Sequence, residues 1–154
     1  MSKVYEMGIC KSKGDKILKV DKIEAIKGKG INGDRKYKEI NHKLAQMTLI
    51  EIENIDYFNK LIDVPIPPLY FRRNIVTKGI NLNNLVDQEF FVGNVKLKAH
   101  DLCKPCKYLE SLLMQNNFVS ELQTRGGIRC EILSTNYIYI NDKITIKTKD
   151  GKLH

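Results

Sequence analysis

Two cysteines, Cys103 and Cys106, form a Cys-x-x-Cys pair within the run His100-Asp101-Leu102-Cys103-Lys104-Pro105-Cys106. Such a pair can be half of a zinc site, a redox pair, or two unrelated thiols. Structural zinc sites usually have a second pair, whereas the remaining cysteines, Cys10 and Cys130, are isolated in the sequence. Without a second pair, the remaining way to build a zinc site would be to combine Cys103, Cys106 and one distant cysteine, and we keep this as an alternative. The predicted hairpins nearby do not resemble the βαβ unit of a thioredoxin-type redox pair.

Cys106 stands at the start of a predicted helix over residues 107–115. Unpaired backbone N–H groups and the helix dipole stabilise an anion at that position. Lys104 and Lys107 add positive charge close by in the sequence. Both effects lower the pKa of a thiol, so Cys106 could act as a nucleophile or as a ligand for a soft metal. A buried, inert cysteine is the alternative interpretation.

The arginines are the other candidate site residues, and they are few: Arg35, Arg72, Arg73, Arg125 and Arg129. Each lies beside, or one residue away from, a glycine, asparagine or aspartate in a predicted loop or strand end. The planar guanidinium suits two-pronged contacts with phosphate or carboxylate better than lysine does. Of 26 basic residues the other 21 are lysines, scattered along the chain, which is typical of a solubilising surface. This distribution favours a compact anionic ligand over a long polyanion.

Residues 28–33, Gly28-Lys29-Gly30-Ile31-Asn32-Gly33, satisfy the pattern G-x-G-x-x-G. A dinucleotide site would need a helix starting at the third glycine, and the following residues have no apolar face of helical period. We expect instead a glycine-rich turn whose backbone N–H groups form an anion nest, with Arg35 adding charge. Gly126 and Gly127 likewise allow a tight turn or a close approach to a ligand.

Short strands dominate the elements that must position these residues. Strands are predicted at residues 4–10, 17–20, 23–26 and 128–133. One hairpin joins residues 89–92 to 95–99 through Gly93-Asn94, and a second joins 137–140 to 143–147 through Asn141-Asp142.

One helix is predicted to follow Thr48, with Thr48 and Glu51 as a capping box. Ile52, Ile55 and Phe58 give it an apolar face, and it ends before Pro65. Further short helices are predicted at residues 107–115 and 118–122. Many strands and few helices indicate a β-barrel-like or an α+β domain.

The composition limits the class of protein. A length of 154 residues predicts a single domain over residues 1–154. A hydrophobic fraction of 42% excludes a disordered chain. No apolar run approaches the roughly 18–20 residues of a membrane helix, and no signal-peptide core is present. We therefore expect a cytoplasmic protein with no membrane partner, whose cysteines are thiols.

Taken together and in order, several segments resemble the MOSC domain, named for the C-terminal domain of molybdenum cofactor sulfurase. The resemblance covers roughly residues 5 to 147. The matching segments are Lys29-Gly30-Ile31-Asn32-Gly33-Asp34-Arg35, Gln46-Met47-Thr48-Leu49-Ile50, Arg72-Arg73-Asn74-Ile75-Val76-Thr77, Gly79-Ile80-Asn81-Leu82, Phe91-Val92-Gly93, Leu102-Cys103-Lys104-Pro105-Cys106-Lys107-Tyr108-Leu109-Glu110 and Arg125-Gly126-Gly127-Ile128-Arg129.

The resemblance implies a mainly β, barrel-like fold with a few short α-helices. It also implies a molybdenum cofactor, a pterin dithiolene with a terminal phosphate, as ligand. It places the molybdenum-ligating and catalytic cysteine at Cys106, with Cys103 as an accompanying thiol. The cofactor-binding residues it suggests are Arg35, Arg72, Arg73, Lys104, Arg125 and Arg129.

The implied function is that of a component of a molybdenum-dependent oxidoreductase, for example one reducing N-hydroxylated compounds, or of a cofactor or sulfur carrier. The oxidoreductase would need a separate electron-donor protein. Pyridoxal phosphate belongs to the domain fused to MOSC in the full-length sulfurases, so none is expected.

Two alternatives belong to other classes. The formal net charge of +8 would suit a non-enzymatic polyanion-binding β domain. No strand interleaves closely spaced aromatic and basic residues, so nucleic acid is not the expected partner. The other alternative is the structural zinc domain, in which the cysteines hold the fold together.

Overall fold

The computed structural model describes residues 1–104 and 123–146. Within these ranges the chain forms strands β1 (Lys3–Ile9), β2 (Leu18–Lys19), β3 (Lys22–Ile26), β4 (Gly30–Ile31), β5 (Met47–Glu51), β6 (Ile75–Lys78), β7 (Glu89–Val92), β8 (Val95–Leu102), β9 (Ile128–Ile132), β10 (Asn136–Tyr139) and β11 (Ile144–Thr145). The helical elements are α1 (Ile52–Asn59) and two 3₁₀ turns, Pro68–Phe71 and Leu82–Leu85.

The strands form a curled half-barrel sheet and a smaller second sheet. The larger sheet has the strand order β11-β7-β8-β9-β5-β6-β1-β2, and the smaller has the order β10-β3-β4. β5 and β6 pair in parallel, while their neighbours β1 and β9 run antiparallel to them. The prediction of a mainly β, barrel-like fold is therefore confirmed.

The core lies inside the curled sheet, and α1 covers part of its outer face. Val95, Leu97 and Ala99 of β8 are fully buried while the alternate lysines are half-buried, as the two faces of a strand require. On the other side, the helix packs Ile55 and Phe58 into a second apolar cluster. Phe58 meets Phe71 edge to face, with ring centroids 5.6 Å apart, a favoured aromatic geometry.

The predicted capping box is wrong. Thr48 and Glu51 both belong to β5, and α1 begins at Ile52 after Glu51 without a side-chain capping bond. The Thr48 hydroxyl instead donates to Asn74 Oδ1 (3.2 Å) and accepts from the Asn74 N–H (3.0 Å). Pairing with a residue distant in sequence therefore outcompetes the local cap.

The hairpin through Gly93-Asn94 is confirmed, because β7 and β8 pair across it. The hairpin through Asn141-Asp142 is wrong, since β10 pairs with β3 in one sheet and β11 with β7 in the other. Asn141 adopts a positive φ of 70°, and backbone bonds of 2.9 Å tie Asn141 and Asp142 to Val4. These bonds to β1 hold the chain at the point where it passes from the smaller sheet to the larger one.

The helices predicted at 107–115 and 118–122, together with Cys106 and Lys107, lie outside the described residues. Across residues 1–104 and 123–146, no helix has the length and apolar character needed to span a membrane.

Candidate functional site

A cavity of about 180 Å³ lies where several loops meet beside β1, β5 and β6. β1 leads into Cys10, and β4 leads into the loop that carries Asp34, Arg35 and Lys36. Arg72, Arg73 and Asn74, the three residues before β6, line another side of the cavity. Its lining residues are Cys10, Ile17, Asp34, Arg35, Lys36, Thr48, Arg72, Arg73 and Asn74. The fold therefore brings together three of the predicted arginines, Arg35, Arg72 and Arg73.

Hydrogen bonds fix the loop of Asp34, Arg35 and Lys36 against Cys10. The Asp34 carboxylate accepts from the backbone N–H of Cys10 (2.9 Å) and of Lys36 (3.2 Å). The backbone N–H of Arg35 donates to the Cys10 carbonyl at 2.7 Å. In the predicted anion nest, the turn 28–33, the backbone N–H groups of Gly28, Lys29 and Asn32 donate to the carbonyls of Ile132, Ile26 and Glu24, so these three groups are not free for an anion. The groups identified here for binding an anion are therefore side chains.

The side chains that remain available are cationic. Arg35 and Lys36 are solvent-accessible, and neither side chain makes a hydrogen bond or ion pair with a described residue. Desolvation, together with the charges of Arg35 and Arg73, lowers the pKa of Lys36. An anionic ligand between these groups would relieve their mutual repulsion. Sequence analysis missed Lys36, although its position directly after Arg35 was a usable signal.

Arg72 adds a third cation to the cavity wall. It caps the 3₁₀ turn Pro68–Phe71 in the left-handed conformation, with φ of 62°. Its guanidinium donates to the Asp15 carbonyl (3.2 Å) and weakly to Cys10 Sγ (3.5 Å). These bonds use only part of the donor set of an arginine, so Arg72 can still contribute to anion binding.

Arg73 has a different role from its neighbour. Its Nε donates to the Gly126 carbonyl at 2.9 Å, and its Nη2 donates to the Lys104 carbonyl. Lys104 immediately precedes the segment 105–122 that contains Cys106, and Gly126 follows that segment closely. Arg73 therefore ties together the two ends of the Cys106 segment.

Cys103 lies at this junction. Its backbone N–H donates to the Gly127 carbonyl at 2.8 Å, and its side chain is buried. Desolvation raises the pKa of Cys103, although the charges of Arg73 and Arg129 oppose that shift. Burial also raises the pKa of the fully buried Cys130 in β9. Burial therefore disfavours the thiolate form of both side chains in the protein without a bound metal.

Arg129 is engaged by a protein carboxylate. Its Nε donates to Asp101 Oδ1 at 2.7 Å, and its Nη2 pairs with Asp101 Oδ2. The two residues are opposite each other where β8 and β9 pair. The hydrogen bond from Arg129 lowers the pKa of Asp101. This two-pronged pair joins the strand ends from which Cys103 and Gly127 continue.

Arg125 lies in another cavity. Its Nη1 donates to Asn54 Oδ1 at 2.9 Å, and its guanidinium carbon lies 3.9 Å from the centre of the Tyr57 ring. That cavity, of about 490 Å³, shares none of its described lining residues with the first one. The structure therefore separates Arg125 from Arg35, Arg72 and Arg73.

The two remaining predicted site residues are Lys104 and Cys106. The Lys104 side chain is exposed, while its carbonyl is held by Arg73. Cys106 lies outside the described residues. In the described part of the chain, no group of three or more His, Cys, Asp or Glu side chains could hold a metal ion.

These features define a small β half-barrel protein with a cationic cavity near a buried thiol. The model of the MOSC domain family matches residues 36–145, and the chain belongs to this family. A comparison of the sequence with curated proteins gave no significant match.

Solved structures show the same fold. The YuaD protein from Bacillus subtilis superposes with a TM-score of 0.73 at 21% identity, covering 94% of each chain. YiiM from Geobacillus stearothermophilus gives a TM-score of 0.72 at 12% identity, covering 97% of this chain and 76% of that one. YiiM from Escherichia coli gives 0.63 at 15% identity, covering 96% and 69%. At these identities the likeness concerns the fold alone.

Proposed function

We propose that this protein binds the molybdenum cofactor, with its terminal phosphate in the cationic cavity. The observation that carries the proposal is that Arg35 and Lys36, in a chain of the MOSC family, line a cavity in which neither side chain makes a hydrogen bond or ion pair with a described residue, and Asp34 is the only carboxylate among its described lining residues. Guanidinium and ammonium groups suit phosphate oxygens. At about 180 Å³ the cavity is smaller than the roughly 300–1,000 Å³ typical of ligand pockets. It therefore suits the phosphate end rather than the whole cofactor.

The residues around the cavity take two different roles in this proposal. Arg35, Lys36 and Arg72 contact the phosphate, and the exposed Lys104 side chain adds positive charge. Arg73 acts as a positioning residue, since its bonds to the Lys104 and Gly126 carbonyls hold the ends of the Cys106 segment.

Arg129 supports the same region through its pair with Asp101. Arg125, in a separate cavity, is not assigned to the cofactor.

Cys106 is the proposed metal ligand, as the family resemblance implies. Burial disfavours the thiolate form of Cys103 and Cys130, and the Cys10 thiol donates to the Ser12 and Asp15 carbonyls, so the choice of Cys106 rests on the family resemblance. When bound, the cofactor would supply oxygen-atom transfer chemistry. The protein would anchor it and shield the metal side from water.

Two biological roles fit this binding function. In the first, the protein is a cytoplasmic component of an oxidoreductase that reduces N-hydroxylated compounds, with electrons from a separate donor protein. In the second, it carries the cofactor, or carries sulfur on Cys106. Reduction of an N-hydroxylated amidine by the loaded protein with a chemical electron donor would support the first role. A persulfide on Cys106 in the isolated protein would support the second.

Metal and pterin analysis of protein from a molybdenum-replete host tests the binding proposal. We expect molybdenum and pterin in equal amounts in the wild type, loss of molybdenum in Cys106→Ser, and retention of both in Cys103→Ser. The double variant Arg35→Gln/Lys36→Gln should lose pterin, whereas Lys38→Gln, outside the described cavity wall, should keep it. Protein that carries zinc alone, or that takes up neither metal nor pterin from free cofactor, would refute the proposal.

A further inference from the structure

The cavity that contains Arg125 has the features of a second binding site. Its volume of about 490 Å³ falls within the roughly 300–1,000 Å³ range of small-molecule sites. It lies between the end of β5, the start of α1, the loop after β6, the 3₁₀ turn Leu82–Leu85 and the turn before β9. Its described lining residues are Glu51, Glu53, Asn54, Gly79, Ile80, Asn81, Asn83, Thr124 and Arg125.

A buried carboxylate with one unpaired oxygen lines this cavity. Glu51 is only 4% exposed. Its Oε2 accepts from the Leu82 backbone N–H at 3.3 Å, whereas its Oε1 has no hydrogen-bond partner in residues 1–104 and 123–146. An unpaired buried acceptor is costly, above all when it carries charge. Glu51 Oε1 is therefore available to a donor from a ligand, while the Leu82 N–H and the Asn54 side chain donate to the carboxyl group.

A second unpaired oxygen lines the same cavity. Asn83 donates through Nδ2 to the Thr124 carbonyl at 2.7 Å, which fixes the orientation of its amide. Its Oδ1 is buried and accepts no hydrogen bond from any residue that the structure describes. The cavity thus presents two acceptor oxygens, from Glu51 and Asn83, that require N–H or O–H donors.

The same cavity also presents a cationic donor. Arg125 makes a single described hydrogen bond, from Nη1 to Asn54, and its guanidinium lies over the Tyr57 ring. These two contacts hold the guanidinium in place while leaving other N–H groups for a ligand. Glu53 adds a second negative charge at the wall, with its Oε2 accepting from the Gly79 N–H at 2.9 Å. One cavity therefore combines carboxylates, unpaired acceptors and a fixed guanidinium.

We infer that this cavity binds a small zwitterion of the amino acid type. An ammonium group supplies several N–H donors together with positive charge, which matches Glu51 Oε1 and Asn83 Oδ1. A carboxylate matches the guanidinium of Arg125, with which it can form two parallel hydrogen bonds. The inference rests on described residues alone and does not depend on molybdenum cofactor binding.

A divalent cation is the main competing occupant. Calcium takes about six to eight oxygen ligands and magnesium about six, and the positive charge of Arg125 in the wall disfavours either ion. Asn54 Oδ1 already accepts from Arg125, and Asn81 Oδ1 accepts from the Asn83 N–H at 3.2 Å. These two oxygens are therefore less available to a metal. A ligand with charges of both signs can pair with the acceptor oxygens of Glu51 and Asn83 and also with the guanidinium of Arg125, whereas a metal ion can pair only with the oxygens.

The test is a titration of the isotope-labelled full chain with the standard amino acids, one at a time at millimolar concentration. The side-chain amide signals of Asn54 and Asn83 are followed by NMR. We expect at least one amino acid to shift both signals saturably. Glu51→Gln and Arg125→Gln should each weaken that binding by about tenfold or more, because each removes a charged hydrogen-bond partner. Asp56→Asn, which removes an exposed carboxylate of α1, should leave it unchanged.

Several results would overturn the inference. One is that no amino acid shifts the Asn54 and Asn83 signals. Another is that methylammonium or acetate alone binds as tightly as the amino acids, since a zwitterion site requires both charges. Binding that survives both Glu51→Gln and Arg125→Gln, or saturable binding of calcium or magnesium that Glu51→Gln abolishes, would also refute it. Unfolding curves confirm that each variant is folded, and the two variants provide independent tests.

Discussion

Replacing Arg73 by lysine tests whether this side chain holds the ends of the Cys106 segment. Lysine keeps the positive charge but cannot reach the Gly126 and Lys104 carbonyls with the two-pronged geometry of guanidinium. A hydrogen bond that involves a charged group contributes about 1.5–3 kcal/mol. Because lysine can remake one bond at most and the site is half-buried, we expect Arg73→Lys to lower the free energy of unfolding by about 2 kcal/mol.

Urea unfolding of the cofactor-free protein measures this loss, and Arg72→Lys is the matched control. Arg72 is exposed and bonds to one carbonyl and one thiol only, so its replacement should cost no more than about 0.5 kcal/mol. The slope of the free energy against urea should stay the same in both variants, because the surface exposed on unfolding does not change.

Equal stabilities of Arg73→Lys and Arg72→Lys would refute the assignment of Arg73 as a positioning residue. A second pattern would refute it in another way. If Arg73 contacts the cofactor instead, its replacement would lower the pterin content while leaving the cofactor-free protein as stable as the wild type.

Two further predictions concern the turn before β9 and the buried carboxylate. A Cβ at Gly127, where φ is +92°, would lie 1.9 Å from the Leu49 carbonyl oxygen, so Gly127→Ala should cost more than about 4 kcal/mol or prevent folding. Gly28→Ala, with positive φ but nothing within 4 Å of the added carbon, should cost only about 1–2 kcal/mol in thermal unfolding. Burial raises the pKa of Glu51. As the pH rises, the Glu51 carboxyl group therefore loses its proton later in the folded state than in the unfolded state. The stability of the wild type should fall as the pH rises from about 4.3 through the folded pKa. Glu51→Gln should remove that fall and be more stable than the wild type at pH 7; a pH–stability profile unchanged by the substitution would contradict this reasoning.

The fold was largely predictable because its strands carry local signals. The alternation in β8 and the Gly93-Asn94 turn specify a hairpin without help from distant residues. The prediction failed where local signals competed with distant partners. Thr48 has the sequence of a cap but pairs with Asn74, 26 residues away, and Asn141-Asp142 has the sequence of a hairpin turn but is bonded to β1.

The candidate site shows the same division. Sequence reasoning identified arginines beside glycine, asparagine or aspartate as binding residues, and three of them do line one cavity. It could not distinguish the arginines that are available from those that the protein itself engages. Arg129 is engaged by Asp101, 28 residues away, and Arg73 by the carbonyls of Lys104 and Gly126, 31 and 53 residues away.

The sequence by itself determined the strand pattern, the family and the residue types that could bind an anion, because these depend on local periodicity and motif order. Only the tertiary structure decided which charges remain unpaired. In the folded protein, Arg35 and Lys36 line one cavity without a described hydrogen-bond partner for their side chains. Arg73 donates to two backbone carbonyls. Glu51 is buried beside a second cavity with one carboxylate oxygen unpaired among the described residues. Whether a charged group binds a ligand or holds the fold depends on its neighbours in space, and residues distant in sequence supply those neighbours.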